Sequence, residues 1–362
     1  MKFAVVSDGC QAPRDKVAGA LVETFLAHGD ELSPADNGIN FALNLTRADA
    51  PRHFRRKSQS VFIFSLIQDE RVDRNFRSRC YTALVRSLSN LLLCVVPGAR
   101  GGVPEIYFTT PEAGFYHLPF EPEAVYERLI PIASAHFATE NRFSEDLPER
   151  LWMGSPLTRD LSRYGKELEM MGVLPVPFPL REVLTEEALR QLYKIYGITG
   201  ASYGNLSARE TVPELSPCAF WMTGRGVNKA DLRRVGKDML LVKGFDHARG
   251  AALIAQPPGA DVRARVSVDA VEHELIYRTY PEVGAIVHAH AWIEGVPCTR
   301  QNYPCGTREL AREVAALLRT LPDPGRGAVG LKNHGLTITG RTLEEIFSRI
   351  RGRLLREAAM FD

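Results

Sequence analysis

Short apolar runs alternate with helical stretches from the first residues of this chain, and that alternation restricts the fold more than any other feature. The apolar run at 3–6 is followed by a helical stretch over 14–28. Further strands are expected at 40–45, 61–67 and 91–96, with helices at 77–89 and 122–138. This pattern predicts a small open sheet covered by helices, an N-terminal α/β domain over residues 1–140 whose role the sequence leaves open. Between 141 and 180 the character changes to proline-containing, charge-mixed segments. They end in LPVPFPLRE, where prolines at 175, 177 and 179 exclude a regular helix. This stretch reads as a connection between domains, with room for a helix over 157–171. At 362 residues the chain exceeds what a single core usually organises, so two domains are the expectation.

Charge and composition remove several classes of function. The formal charge is +2, with 45 basic and 43 acidic residues interspersed, so no electrostatic footprint argues for nucleic acid. The run RHFRRK at 52–57 lacks the interleaved aromatics of a single-strand binding surface and reads as a solvated loop. The start, MKFAVVSDGC, is too short an apolar stretch for a secretory signal, and no later run reaches membrane-spanning length. A cytoplasmic protein with no membrane partner is expected. Six cysteines at 10, 80, 94, 218, 298 and 305 form no CxxC pair, which fits reduced thiols; Cys298 and Cys305 lie close to the site considered below. Ser7, Asp8 and Gly9 follow the first strand, where open sheets often bind ligands, but no glycine fingerprint follows, and an ordinary turn is the better reading.

Past residue 180 the pattern becomes a mixed α/β domain over 181–362. TEEALRQLYKIYG from Thr185 has a threonine cap, early acidic residues and a terminal glycine. Short strands are expected at 201–208, 219–223, 239–242 and 251–255, then a helix over 269–279 leading into a strand at 285–290. A helix at 308–319, strands at 328–331 and 336–339, and a last helix at 342–359 complete the domain. In AIVHAHAWIEG, His288 and His290 stand two apart at the end of an apolar strand, which puts both imidazoles on one face. His334 follows in LKNHGLTITG, flanked by Asn333 and Gly335 in a tight turn. Three histidines can therefore converge, the number a catalytic zinc site needs beside an open position.

GASYGNLSAR, WMTGRGVNKADL, SVDAVEHELIYRTYPEVGAIVHAH and NHGLTITGRTLEEIF, in this order and spacing, resemble the class II aldolase/adducin family. That family includes L-fuculose-1-phosphate aldolase, L-ribulose-5-phosphate 4-epimerase, related decarboxylases and dehydratases, and the non-enzymatic head of adducin. The resemblance covers about residues 180–362 and implies an aldolase-like α/β/α domain behind the N-terminal sheet domain. It implies Zn²⁺, or another divalent transition metal, on His288, His290 and His334. It also places Asp269 where members carry the carboxylate that completes the metal shell or acts as acid and base. Of the family's phosphate-holding elements, Gly204, Asn205 and Ser207 match the first and Ser267 matches the last, with Val268 in place of a second serine. Arg225 and Gly226 stand in the middle loop, Arg225 where a small hydroxyl residue is common, and its planar fork suits a carboxylate or phosphate. Tyr303 lies in a segment between His290 and Arg308 that is shorter than the aldolase segment carrying a tyrosine proton donor.

The expected function is a zinc-dependent lyase of the class II aldolase type, an aldolase, decarboxylase or epimerase. It would make or break a carbon–carbon bond beside a carbonyl in a small anionic hydroxy-carbonyl compound, with or without a phosphate. Asp269 and Tyr303 are the catalytic candidates, and Asn205, Ser207, Arg225, Gly226 and Ser267 the substrate-binding ones. The resemblance also implies a homo-oligomer, a tetramer in the family. The alternative is a non-catalytic, adducin-like assembly module, disfavoured because an interaction fold has no physical need for convergent imidazoles.

Overall fold

The computed structural model describes residues 1–9, 11–35, 38–55, 61–173, 179–196, 204–260 and 264–361. The chain forms two compact units: Met1–Ser134 with Val176–Tyr196 and Met360–Asp362, and Ala135–Pro175 with Gly197–Ala359.

The first unit contains β1 (Lys2–Ser7), α1 (Ala12–Ala27), β2 (Glu31–Leu32), β3 (Phe41–Leu45), β4 (Phe62–Gln68), α2 (Phe76–Ser87), β5 (Leu91–Val96), β6 (Glu105–Thr109), β7 (Phe115–Pro119) and α3 (Pro122–Ala133). Its strands form one sheet in the order β2-β1-β3-β4-β5-β6-β7. The pairs from β2 to β5 are parallel, and those from β5 to β7 antiparallel. Strands β3, β4 and β5 are buried almost throughout, which is why they read as continuous apolar runs. The sequence reading missed the β6–β7 hairpin, whose strands are punctuated by Pro104, Pro111 and Pro119 and whose turn puts Ala113 at φ 62°. Helix α3 stops at Ala133, short of the expected 138.

In the loop after β1, Asp8 is held inside this unit. Asp8 Oδ2 accepts from Thr46 Oγ1 at 2.8 Å and from the Arg47 amide, and Oδ1 faces the fully buried Arg14 guanidinium at 3.6 Å. Arg14 also donates to the carbonyls of Thr46 and Gly9. Its charge is matched within the fold, as a buried guanidinium requires, and the network ties the carboxyl ends of β1 and β3 together.

The segment after Ser134 enters the second unit through β8 (Glu140–Ser144) and α4 (Pro156–Met170), the latter started by a Ser155–Thr158 capping box. Helices α5 (Leu180–Val183) and α6 (Glu186–Tyr196) then belong to the first unit, where α6 packs on α2. The second unit resumes with β9 (Asn205–Arg209), β10 (Phe220–Thr223), β11 (Met239–Asp246), β12 (Ala251–Ala255), α7 (Ala270–Thr279), β13 (Ala285–Ala289), α8 (Arg308–Arg319), β14 (Ala328–Leu331), β15 (Gly335–Gly340) and α9 (Leu343–Ile350). The part of the expected 201–208 strand before Gly204 lies outside the described residues.

These strands form an eight-stranded sheet in the order β14-β15-β13-β9-β10-β11-β12-β8, antiparallel except for β12–β8. Period-two alternation sends Phe220 and Met222 of β10 and Leu240 and Val242 of β11 into the core that also holds Ile276, Val314 and Leu318 of α7 and α8. Helices α4 and α9 pack against β9, β10, β13 and β15 and against each other. Helix α9 ends at Ile350 rather than the expected 359, because the chain turns at Gly352, whose φ of 71° suits glycine. Among the described residues no helix is long and apolar enough to cross a membrane.

Candidate metal centre

Three antiparallel strands carry the site. In β13, His288 pairs with Asn205 of β9 on one side and with Thr337 of β15 on the other, so its backbone is fixed from both edges. Gly204 sits at φ 76°, where a Cβ would come within 2.3 Å of the His288 carbonyl oxygen. Only glycine lets the two strands approach this closely. On the other side of the rings, Gly335 meets the Ala289 carbonyl in the same way, with Asn333 at φ 56° completing the turn that presents His334. The glycines and asparagine flanking the histidine motifs are thus the local price of bringing three backbones together.

The three imidazoles converge. Their ring centroids lie 4.8–5.2 Å apart, and their nitrogens fall within 4.8 Å of one another. His288 Nδ1 lies 3.0 Å from the Leu336 carbonyl oxygen, to which it donates. That bond fixes the tautomer, leaving the buried Nε2 as an acceptor with no hydrogen-bond partner. His290 Nε2 and His334 Nε2 are 3.2 Å apart. Burial pushes His334 down to about 3 and holds His288 and His290 below their ordinary value, so all three rings are neutral near pH 7. Neutral nitrogens with converging lone pairs are metal donors, and a tetrahedral ion bound at about 2.0–2.1 Å would hold two of them about 3.3–3.4 Å apart. The spacing and the unpartnered Nε2 both fit a divalent ion.

Asp269 stands before α7, and its Oδ2 accepts from Asn205 Nδ2 at 2.6 Å, with Ser267 Oγ at 3.5 Å. Asn205 Nδ2 also reaches Ser267 Oγ at 3.1 Å, so Asn205, Ser267 and Asp269 form one buried cluster. Asp269 lies within 4.8 Å of His288 and of Cys305, whose thiol also hydrogen-bonds the Asp269 carboxyl. Arg225 is held by its backbone amide on the Arg265 carbonyl and by a guanidinium bond to the Thr139 carbonyl. Its buried Nε has no partner, and Asp269 is the first charge favouring its charged form against the cost of burial. Gly226 follows at φ 67° in the same loop.

Two of the sequence candidates are placed differently. Ser207 is fully buried, and its hydroxyl is engaged by His273 Nδ1 and the Tyr277 hydroxyl, both at 2.7 Å. Tyr303 packs, partly buried, against the apolar core, and burial followed by the charges of Glu313 and Glu309 raises its phenol. The segment that holds Tyr303 contributes Cys305 instead, with Sγ 3.3 Å from His334 Nε2.

Three further groups near Asp269 escaped the sequence reading. Glu272 is buried with Oε1 accepting from Thr337 Oγ1, and burial followed by the Asp269 charge raises it to about 8, so it is protonated at neutral pH. His273 is buried and pushed down to about 3. Their spacing from Asp269, three and four residues along α7, is the signal that could have found them. Lys229 is 3% exposed, and burial lowers its amine to about 8 against the opposing charges of Glu169 and Asp269.

Strand-mounted imidazoles, a tethered carboxylate and a neighbouring thiol define a protein with a candidate divalent-metal centre. More particularly, residues 185–293 match the family described as the class II aldolase and adducin N-terminal domain. The match lies within the mixed α/β part of the chain that follows the first sheet and includes His288 and His290 but ends before His334. Similar solved structures include YgbL from Escherichia coli, 18% identical, with 54% of this chain and 84% of that one covered at a TM-score of 0.34. L-fuculose 1-phosphate aldolase from Glaciozyma antarctica is 15% identical over 54% of this chain and 71% of its own, with a TM-score of 0.30. The N-terminal class II aldolase domain of a conserved protein from Thermoplasma acidophilum is 15% identical over 58% and 93%, with a TM-score of 0.34. No curated protein matches the chain.

Proposed function

We propose that the second unit is a metal-dependent lyase or epimerase, zinc being the first choice of ion, acting on a small anionic hydroxy-carbonyl compound. The observation that carries this reading is the buried, unpartnered Nε2 of His288 facing His290 and His334, whose own Nε2 atoms are 3.2 Å apart. Three neutral donors aimed at one point have no use in a packing or assembly role, and each would cost roughly 1–3 kcal/mol if left unsatisfied.

A divalent ion held by these rings supplies a Lewis-acid charge beside a substrate carbonyl. Asp269 holds or accepts the proton at the carbon next to that carbonyl, and Asn205, donating to Oδ2, keeps the carboxylate aimed. Arg225 holds the anionic end of the substrate through its planar fork. Burial around these groups excludes water and strengthens each of these interactions.

The test is metal content and turnover together. Purified protein is expected to carry about one zinc, cobalt or manganese ion per chain, and His288→Ala and His334→Ala are expected to lose both the ion and activity. Activity is followed as aldehyde, ketone or CO₂ release from a panel of phosphorylated and carboxylated hydroxy-ketones. Full turnover in a metal-free variant, or wild-type protein that takes up no ion, would overturn the proposal.

A further inference from the structure

We propose that Cys305 is a fourth protein ligand of this centre, which becomes a three-histidine, one-thiolate site selective for zinc or cobalt over manganese and magnesium. The inference rests on the metal reading above and deepens it by naming the ion class.

The geometry argues for coordination rather than proximity. A thiolate at about 2.3 Å from a tetrahedral ion lies roughly 3.6 Å from each imidazole nitrogen that shares it. Cys305 Sγ is 3.3 Å from His334 Nε2, and it lies within 4.8 Å of His288, whose buried Nε2 has no partner. The sulfur therefore stands beside two of the three rings, those of His334 and His288.

Its backbone is fixed for this position. The Gly306 carbonyl accepts from the Ala138 amide at 2.8 Å, the Thr307 hydroxyl donates to Pro304, and Phe137 bridges to Thr307. Gly306 lies at φ 75°, and a Cβ there would come within 3.1 Å of Val268. Val268 thus packs against the loop that carries the thiol, which gives an apolar residue a role at that position.

Asp269, the other nearby candidate for a fourth ligand, is drawn to the Asn205 amide at 2.6 Å, which leaves it better placed as a proton carrier. When the sulfur–metal bond forms, the thiol proton is released to the buffer, one per ion. Thiolate donors favour zinc and cobalt, whereas manganese and magnesium prefer oxygen. Four protein ligands would leave room for substrate only by expansion to five-coordinate, a geometry that zinc can adopt in a transition state.

The test uses full-length protein loaded with Co²⁺. Wild type is expected to show visible ligand-field bands together with an intense near-ultraviolet sulfur-to-cobalt band. Cys305→Ser is expected to keep the visible bands and lose the near-ultraviolet one, while Cys298→Ser keeps both. A wild-type spectrum with visible bands alone, or a sulfur band that survives Cys305→Ser, overturns the proposal and leaves the three-histidine site standing. Failure of wild type to take up Co²⁺ overturns the metal reading itself. Should Cys305→Ser not fold, competition in wild type decides: Mn²⁺ displacing bound Zn²⁺ at equal concentration would also overturn it.

Discussion

At the scale of single residues, the site depends on positions with little chemistry of their own. Gly204 admits the His288 carbonyl to a distance that a Cβ would close to 2.3 Å, and its φ is already in the region side chains rarely adopt. Gly204→Ala is expected to cost about 1–3 kcal/mol, read from denaturant midpoints, and to lower bound metal because the strand carrying His288 must shift. Stability within error of wild type would show that the strands separate freely. The convergence of the histidines was legible because period two and a turn flanked by Asn333 and Gly335 marked it, whereas Asp269 was marked only by the family motif. Cys305 was noticed only as a neighbour, since the loop holding it has no repeating pattern from which direction can be read. Ser207 misled for the opposite reason. Its place in a Gly-Asn-x-Ser motif suggests an anion contact, but β9 alternation gives it to His273 and Tyr277, and only the packed helix reveals that.

At the scale of elements, α7 is the most informative. It places a protonated glutamic acid, Glu272, and a neutral histidine, His273, in the interior beside Asp269. Glu272 is raised to about 8 in the folded chain against an ordinary 4.5, so the folded state binds more protons between these values. Its contribution is fully present below about pH 4.5 and is lost as pH rises through 8. Melting temperatures in chelator should therefore show wild type losing ground to Glu272→Gln as pH rises from 4.5 to 8; a constant difference would refute the assignment. Helix α8 could be read in the sequence because burial of one face imposes its pattern, and β13 because it is a continuously buried apolar run. The β6–β7 hairpin could not, its prolines masking short strands, and α9 was overdrawn because an amphipathic pattern continues past the turn at Gly352.

At the scale of the whole chain, all three histidines, Asp269 and Cys305 lie within Gly197–Ala359, in one of the two compact units. Each unit has its own sheet and core, so calorimetry is expected to resolve two unfolding transitions. Zinc should raise only one, by about 2.7 kcal/mol at a hundredfold excess over its dissociation constant. Equal shifts in both, or a single transition moving as one, would show that the units unfold together.

The first unit is also discontinuous, since α6 returns to pack on α2 after β8 and α4 have gone to the second. On a ribosome, the amino-terminal sheet would wait for residue 196 before its last helix arrived, holding an apolar face open to chaperones meanwhile. Cutting the chain at the family boundary of residue 185 would strand that helix with the wrong fragment, so expression of either half alone should favour aggregation.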